Sequence, residues 1–496
     1  MNVAMLLEMA ADGFGDRVAF GPRAGGMTYA DLLARARRAA GWLVERPVDH
    51  LGMVDLNSEA VPVALFAAAV AGKPFVPMNY RLADAQLQGI VARTAPAAVV
   101  IDPPVADRLS PIDGVELVTR ADFLAASADP GREAYEGWTD PDEIAVLLFT
   151  SGTTGEPKAA VLRHKHLASY IVTTLDYMGA DEEECALVSV PPYHIAGVSA
   201  VLSSVYTGRR VVQLSQFTPE AWVGLARDEA VTHAMVVPTM LGRILDVLEA
   251  EGESLPALRH LAYGGGRMPV PVVERALTLL PHVSFVNAYG LTETSSTIAV
   301  LGPDDHRAAM ASDDLAVRAR LGSVGRPLPT LELEIRDPLG QALPAGERGE
   351  VCVRGEQVSG EYLGRKLTDD EGWFATKDAG FLDAEGYLFI DGRLDDVIVR
   401  GGENMSPGEI EEVLLAHPAV DQAAVVGVPD TEWGEKVAAA IVLKPGTAAS
   451  VEELQQWVKD RLRSSRMPEL VEFREELPFN ETGKLLRRVL RTELGG

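Results

Sequence analysis

Residues 144–158 read IAVLLFTSGTTGEPK. The six apolar residues at the start form a run of strand length, which predicts a strand buried on both faces. The polar stretch from Thr150 to Lys158 then packs hydroxyl side chains, two glycines and one lysine into a single loop. Glycine permits a tight loop whose backbone N–H groups can face phosphate oxygens. The hydroxyls of Thr150, Ser151, Thr153 and Thr154 add donors, and Lys158 adds a positive charge. The spacing is not GxxxxGK[ST], so the usual P-loop nucleotide fold is not predicted. The plainer alternative is a polar turn between a strand and a helix.

Working outward, TYADLLARARRAAGWL from Thr28 carries apolar residues at helical spacing, while PAAVVI and CALVSV are short apolar runs of strand length. Helical stretches and strand-like runs alternate along the chain, which predicts an α/β fold of parallel sheets with crossover helices. The character changes near Gly392. In GYLFIDGRLDDVIVRGGENMSPGEIEEVLLAHPAV, two acidic residues separate apolar runs, a Gly-Gly turn follows, and a helix begins near Ser406. Strands at QAAVVGVP and KVAAAIVL, an amphipathic helix from Val451 and a basic terminal helix complete a small α+β unit. The expected organisation is a large domain over residues 1–394 and a small one over 395–496.

Composition narrows the function. The 496 residues are 47% hydrophobic and 24% charged, as in an ordinary globular chain. A formal net charge of −27 repels nucleic acid and acidic membrane surfaces, so an anionic cofactor must be held by locally concentrated donors. The two cysteines, Cys185 and Cys352, lie in apolar runs that read as buried strands. That pattern suits a reducing cytoplasm rather than a disulfide framework. VPVALFAAAVAG, residues 61–72, is too short to span a bilayer, and the N-terminus lacks a basic region ahead of an apolar core. Neither a membrane span nor a secretion signal is expected.

More motifs follow in order: PPYHIAG at 191–197, YGGG at 263–266, NAYGLTET at 287–294, GERGEV at 346–351, GWFATKDAG at 372–380, DGRLDDVIVRGGEN at 391–404 and PFNETGKLLRR at 478–488. Together with TSGTTGEPK, this set resembles the adenylate-forming superfamily along nearly the whole chain. That superfamily comprises acyl-CoA synthetases, aryl-CoA ligases, firefly-type luciferases and peptide-synthetase adenylation domains, and the motifs are most similar to those of acyl-CoA synthetases. The resemblance implies a large N-terminal domain of doubly wound β/α sheets with a β-barrel-like part, and a small mobile C-terminal domain.

It also implies roles for named residues. Thr150, Ser151, Gly152, Thr153, Thr154, Gly155 and Lys158 would hold the phosphates of ATP. Gly265, Gly266, Asn287, Ala288 and Gly290 would border adenosine, with the Tyr289 ring stacked on the purine and Thr292 on phosphate. Glu293 supplies a carboxylate oxygen suited to Mg2+, a hard cation, with Thr153 sharing its shell. Asp378 and Arg393 look like a ribose-binding pair, although either alone would ordinarily be a surface charge. Lys484 matches the lysine that stabilises charge on the α-phosphate during adenylation. Asp395 would be the hinge about which the small domain rotates, presenting Gly401 and Gly402 to the pantetheine arm of coenzyme A; its plainer reading is an exposed loop acid.

The acid's pocket is read from His194, Ile195, Ala196, Ala200, Gly264, Gly265 and Gly266. His194 reads equally as pocket wall or satisfied core histidine. SVPPYHIAG holds no aspartate to pair with a substrate ammonium, so the acid is expected not to be an amino acid. The three glycines leave room for a bulky, mainly apolar acid, or simply serve a tight turn. The sequence departs from the family pattern at Lys377 and Ala159, where glycine is frequent, and at Gly401, which is lysine in some aryl-CoA ligases. The basic run Lys459, Arg461, Arg463 and Arg466 offers another approach for coenzyme A phosphates, or a solvated helix face. The expected reaction is ATP-dependent formation of an acyl-adenylate with transfer to coenzyme A, and the resemblance admits a homodimer. Alternatives are transfer to a carrier-protein thiol, a luciferase-like oxygenase, or a non-catalytic binding module.

Overall fold

The computed structural model describes residues 1–150, 157–252, 254–401, 403–479 and 485–495, with the backbone alone at residue 404. The expectations for Ser151, Gly152, Thr153, Thr154, Gly155, Gly402 and Lys484 lie outside these residues.

Strand Ala97–Ile101 explains the layering of the large unit. Ala98 and Val100 pack with helices Val3–Phe14, Tyr29–Val44 and Ala60–Ala71, whereas Ala97, Val99 and Ile101 pack with helix Asp84–Ala92. Side chains alternate along a strand, so an all-apolar run is stable only when both faces are covered. Strand Cys185–Val188 repeats the arrangement in a second sheet: Ala186 and Val188 join the first set of helices, while Cys185 and Leu187 join helices Pro238–Glu251 and Val270–Leu279. An eight-stranded and a nine-stranded sheet therefore share one helical layer, and each carries a further layer outside. Helix Ala60–Ala71 is buried on almost every side in the shared layer, which accounts for its apolar sequence. Among the described residues, no helix is long and apolar enough to cross a membrane.

Both sheets are parallel at their centres, and the expectation of wholly parallel sheets is corrected at their edges. Strand Ile144–Thr150 does not lead into a helix. It folds back antiparallel onto Lys158–Arg163, with Thr150 opposite Lys158, so the hydroxyl-rich loop joins two strands of a hairpin. Strand Ser284–Leu291 likewise pairs antiparallel with Ser296–Leu301. The expected barrel-like part takes the form of a four-stranded antiparallel sheet, in which Phe374–Leu382 is flanked by Gly349–Arg354 and Leu388–Arg393.

The C-terminal unit is built on a five-stranded sheet dominated by the antiparallel pair Val420–Asp430 and Gly434–Leu443. Val425, Val437, Ala439 and Ile441 pack with helices Pro407–Leu415 and Val451–Lys459. Ala424, Val426, Ala438 and Ala440 pack with the terminal helix Arg487–Gly495. Among the described residues, polar contacts join this unit to the large one. Ser406 Oγ donates to the Asp391 carbonyl at 2.7 Å, and Arg267 Nη2 donates to Glu412 at 2.8 Å. Gly408 lies so close to Arg267 that a Cβ would sit 1.7 Å from Nη1, so a side chain there would displace the guanidinium from its place against Glu412.

Candidate active site

Asp378 and Arg393, fifteen positions apart in sequence, stand directly opposite each other on neighbouring antiparallel strands. Arg393 Nε is 3.2 Å from Asp378 Oδ1, and Arg393 Nη1 donates to the Thr376 carbonyl at 2.7 Å. Tyr289, near the end of strand Ser284–Leu291 in the nine-stranded sheet, donates its hydroxyl to Asp378 Oδ2 at 2.5 Å. The Asp378 N–H donates to Thr376 Oγ1 at 3.1 Å, which fixes the strand locally. The carboxylate is therefore oriented by a cation and a phenol from two different strands, an arrangement suited to accepting hydrogen bonds from a diol. Burial and the neighbouring carboxylate push the Tyr289 hydroxyl well above its ordinary range, so it remains a proton donor.

Lys377, just before this aspartate, has φ 63, and its N–H donates to Glu350 Oε1 at 2.9 Å. Glycine adopts this left-handed backbone without strain. A side chain is tolerated because this one is exposed, at a cost of about 1 kcal/mol.

The NAYGLTET motif turns a corner at the end of strand Ser284–Leu291. Gly290 has no room for a side chain, since a Cβ would lie 1.7 Å from the Ser296 carbonyl oxygen of the returning strand. Thr292–Thr294 then form one 3-10 turn, and the backbone carbonyl of Glu293 accepts from the N–H groups of Ser359 and Gly360 at 3.0 and 2.9 Å. Asn287 is buried and donates to the Ser323 carbonyl at 3.1 Å. The Glu293 carboxylate accepts a short hydrogen bond from the Tyr362 hydroxyl. Tyr362 also lies beside Thr150, and its ring centre lies 5.9 Å from Lys158 Nζ. Tyr362 therefore draws the first threonine and the lysine of the hydroxyl-rich loop towards Glu293. The sequence did not single it out, because a tyrosine in GEYLGRK has no distinguishing neighbour and its partner lies 69 positions away. Thr376, inside a quoted motif, was also passed over.

Among the described residues, no group of three or more His, Cys, Asp or Glu converges as a metal cage. A lone Glu293 near Thr150 and Lys158 has the donor chemistry that suits magnesium instead, which takes one or two carboxylates and fills its shell with other oxygens.

His194 caps helix Ile195–Thr207, and its Nε2 is buried without a hydrogen-bond partner. Burial, with the Arg81 guanidinium adding to it, pulls the imidazole down to about 4, so it is neutral at pH 7. An unpartnered nitrogen at a helix start departs from the satisfied core histidine and suits a group awaiting a ligand. Ile195, Ala196 and Ala200 are partly buried on the same helix, packed against the shared core.

The glycine wall needs correction. Gly264 lacks a side chain because a Cβ would lie 2.2 Å from the Ala288 carbonyl oxygen, and Gly265 because its φ is 79. Only at Gly266, where a Cβ would meet nothing closer than Pro238 at 3.7 Å, does the missing side chain leave open space. Of the three glycines, Gly266 alone thus offers room beside a ring system.

Asp395 lies in a single 3-10 turn, Leu394–Asp396, between the two units. Gly401 has φ 58, and its N–H donates to the Trp433 carbonyl at 2.8 Å. The basic run does not present free charge throughout: Arg466 is paired with Glu403 at 2.6 Å and Glu409 at 3.0 Å, and Arg461 lies 3.3 Å over the Trp457 ring.

The sequence matches the AMP-binding enzyme family over residues 7–363 and the AMP-binding enzyme C-terminal domain over residues 409–484. It is 33% identical to a feruloyl-CoA synthase of Amycolatopsis sp over 478 residues, covering 95% of this chain and 94% of that protein. A fatty acid–[acyl-carrier-protein] ligase, ScoC, of Streptomyces coeruleorubidus is 33% identical over 496 residues, with 95% and 92% covered. Among solved structures, o-succinylbenzoate CoA synthetase (MenE) from Bacillus subtilis, in complex with the acyl-adenylate intermediate OSB-AMP, matches with a TM-score of 0.84 at 29% identity. That match covers 98% of this chain and 97% of the other.

Proposed function

This chain belongs to the AMP-binding enzyme family, within the adenylate-forming superfamily, and on that premise we propose that it activates a carboxylic acid as its acyl-adenylate and passes the acyl group to coenzyme A. The observation that carries the reading is the Tyr289–Asp378–Arg393 cluster, a diol-binding group beside Glu293 and Lys158. A carboxylate is a poor electrophile with no usable leaving group. Once it is joined to AMP, a thiol can displace the nucleotide.

Asp378 accepts the ribose hydroxyls and Arg393 holds it in place. Tyr289 keeps its hydroxyl on Asp378 and offers its ring to the base. Lys158 and the hydroxyl-rich loop bind the phosphates, with Thr292 at the same turn as Glu293. Glu293, with Thr153, would hold magnesium, and the ion would neutralise phosphate oxygens. Lys484 supplies positive charge at the α-phosphate as pyrophosphate leaves. Neutral His194 borders the acid's carboxylate without repelling an incoming cation or trapping the anion. The acid is an aryl or acyl carboxylate without an α-amino group, in keeping with the feruloyl-CoA synthase and o-succinylbenzoate relatives. Transfer to a carrier-protein thiol is the second reading, favoured by the likeness to ScoC.

The test is acid-dependent pyrophosphate release with magnesium and ATP across aliphatic and aryl acids, with thioester formation followed in parallel with and without coenzyme A. Release together with acyl-CoA is expected. Release with acyl-adenylate but no acyl-CoA assigns a different acceptor. No acid-dependent release across the panel rejects the reading in favour of a binding module.

A further inference from the structure

One short segment, residues 359–363, grips Glu293 at two points. The N–H groups of Ser359 and Gly360 both donate to its backbone carbonyl, and the Tyr362 hydroxyl donates to Oε1 of its carboxylate. The same segment is tied to strand Lys158–Arg163, which follows the hydroxyl-rich loop. Tyr362 stands opposite Ala160 on that strand, the Leu363 N–H donates to the Ala159 carbonyl at 2.9 Å, and Ser359 Oγ donates to the Val161 carbonyl at 2.5 Å. Glu361, beside Tyr362, accepts from Nη2 and Nε of Arg163 at 2.7 and 3.0 Å, a two-pronged ion pair that fixes the register. Residues 359–363 therefore carry Glu293 and the strand that begins at Lys158 as one piece.

Backbone anchoring settles where the Glu293 side chain starts, not where its carboxylate points. A glutamate turns about its side-chain bonds and can present either oxygen, or both, to a cation. The Tyr362 hydroxyl removes that freedom. It holds Oε1, while Oε2 accepts no hydrogen bond among the described residues. The Tyr362 ring centre, 5.9 Å from Lys158 Nζ, is at the outer reach of the attraction between a cation and an aromatic face, so the hydroxyl makes the stronger of the two contacts. We propose that Tyr362 is a positioning residue for the divalent cation: it holds Oε1 of Glu293 so that Oε2 alone is offered to magnesium. This rests on the reading of Glu293 as a magnesium ligand given above. Tyr362 acts here only through Glu293.

The experiment uses the full chain as wild type, Tyr362→Phe, Glu293→Gln and the double variant. Calorimetric titration measures ATP affinity in excess magnesium and in EDTA, and the ratio of the two is the gain that magnesium confers. Phenylalanine keeps the ring beside Lys158 and loses only the hydroxyl. Losing the partner that orients a metal ligand typically weakens metal binding by about ten- to a hundredfold, so the gain should fall about tenfold in Tyr362→Phe, with affinity in EDTA held within about twofold of wild type. In the Glu293→Gln background the same substitution should change the gain by no more than about twofold, because the group through which Tyr362 acts has been altered. Three results overturn the proposal: an unchanged gain in Tyr362→Phe, an equal loss of affinity with and without magnesium, or an effect that persists in the Glu293→Gln background. A wild-type chain that binds ATP without acid-dependent pyrophosphate release fails the acid-activating reading and still puts Tyr362 to the same test. A wild-type chain whose ATP affinity magnesium does not raise, or that binds no ATP, overturns the role of Tyr362 outright.

Discussion

His164 shows how much one buried side chain contributes to the pH response. It is fully buried, its Nδ1 accepts from the Val3 N–H at 3.1 Å, and burial holds it down to about 4 from the usual 6.5. The unfolded chain therefore takes up the proton first as pH falls. Stability is fully present above about 6.5 and is lost as pH drops through about 4, a loss of about 3 kcal/mol from this group. His166 and His194 act in the same window. Thermal midpoints measured from pH 7 to pH 4 should fall steeply. His164→Asn, whose amide oxygen can take over the bond from Val3, should flatten the slope, and an unchanged slope would remove His164 from the account. The buried state of these histidines was not legible in HKHLASY, where two of them flank a lysine on a helix that reads as polar.

At the scale of elements, the PFNETGKLLRR motif contributes an arginine to which the family resemblance gave no role. Arg487, opening the terminal helix three positions after Lys484, donates to both oxygens of Glu411, at 2.8 Å for Oε2, and to the Val425 carbonyl at 2.6 Å. It also lies 3.7 Å from Asp396, next to the hinge candidate. One guanidinium thus joins the terminal helix, the helix Pro407–Leu415, the central hairpin and the turn between the units. Arg487→Met leaves the Glu411 carboxylate, itself 6% exposed, without its cation. The expected cost is about 3 kcal/mol, read as a lower denaturant midpoint for the C-terminal unit; a shift under about 1 kcal/mol would show that the clamp is not structural. The small unit was legible because QAAVVGVP and KVAAAIVL are unbroken apolar runs. The hairpin after IAVLLF was not, because AAVLR is too short for periodicity to separate strand from helix, and only its pairing with Ile144–Thr150 decides it. Asp378 and Arg393 could be named from their motifs, but their opposition depends on strand register, which a single sequence does not show.

Across the whole molecule, the proposed sequence of two half-reactions in one pocket predicts that the small unit moves. Among the described residues, the contacts between the units include the polar pairs Ser406 with Asp391 and Arg267 with Glu412, which suit the proposed rotation because such contacts can be exchanged for water. Lys484→Ala should abolish pyrophosphate release while largely retaining thioester formation from supplied acyl-adenylate. Asp395→Pro, which restricts the turn between the units, should do the reverse. Equal loss of both half-reactions in each variant would contradict rotation about this turn.

The central claim is that the acid's own oxygen becomes bonded to the α-phosphorus. It is tested most directly by supplying the best acid of the panel with its carboxylate labelled with oxygen-18 and analysing the nucleotide product by mass spectrometry. One labelled oxygen should appear in AMP, with none in pyrophosphate. Label recovered in inorganic phosphate alongside ADP, or an unlabelled AMP, would contradict the account.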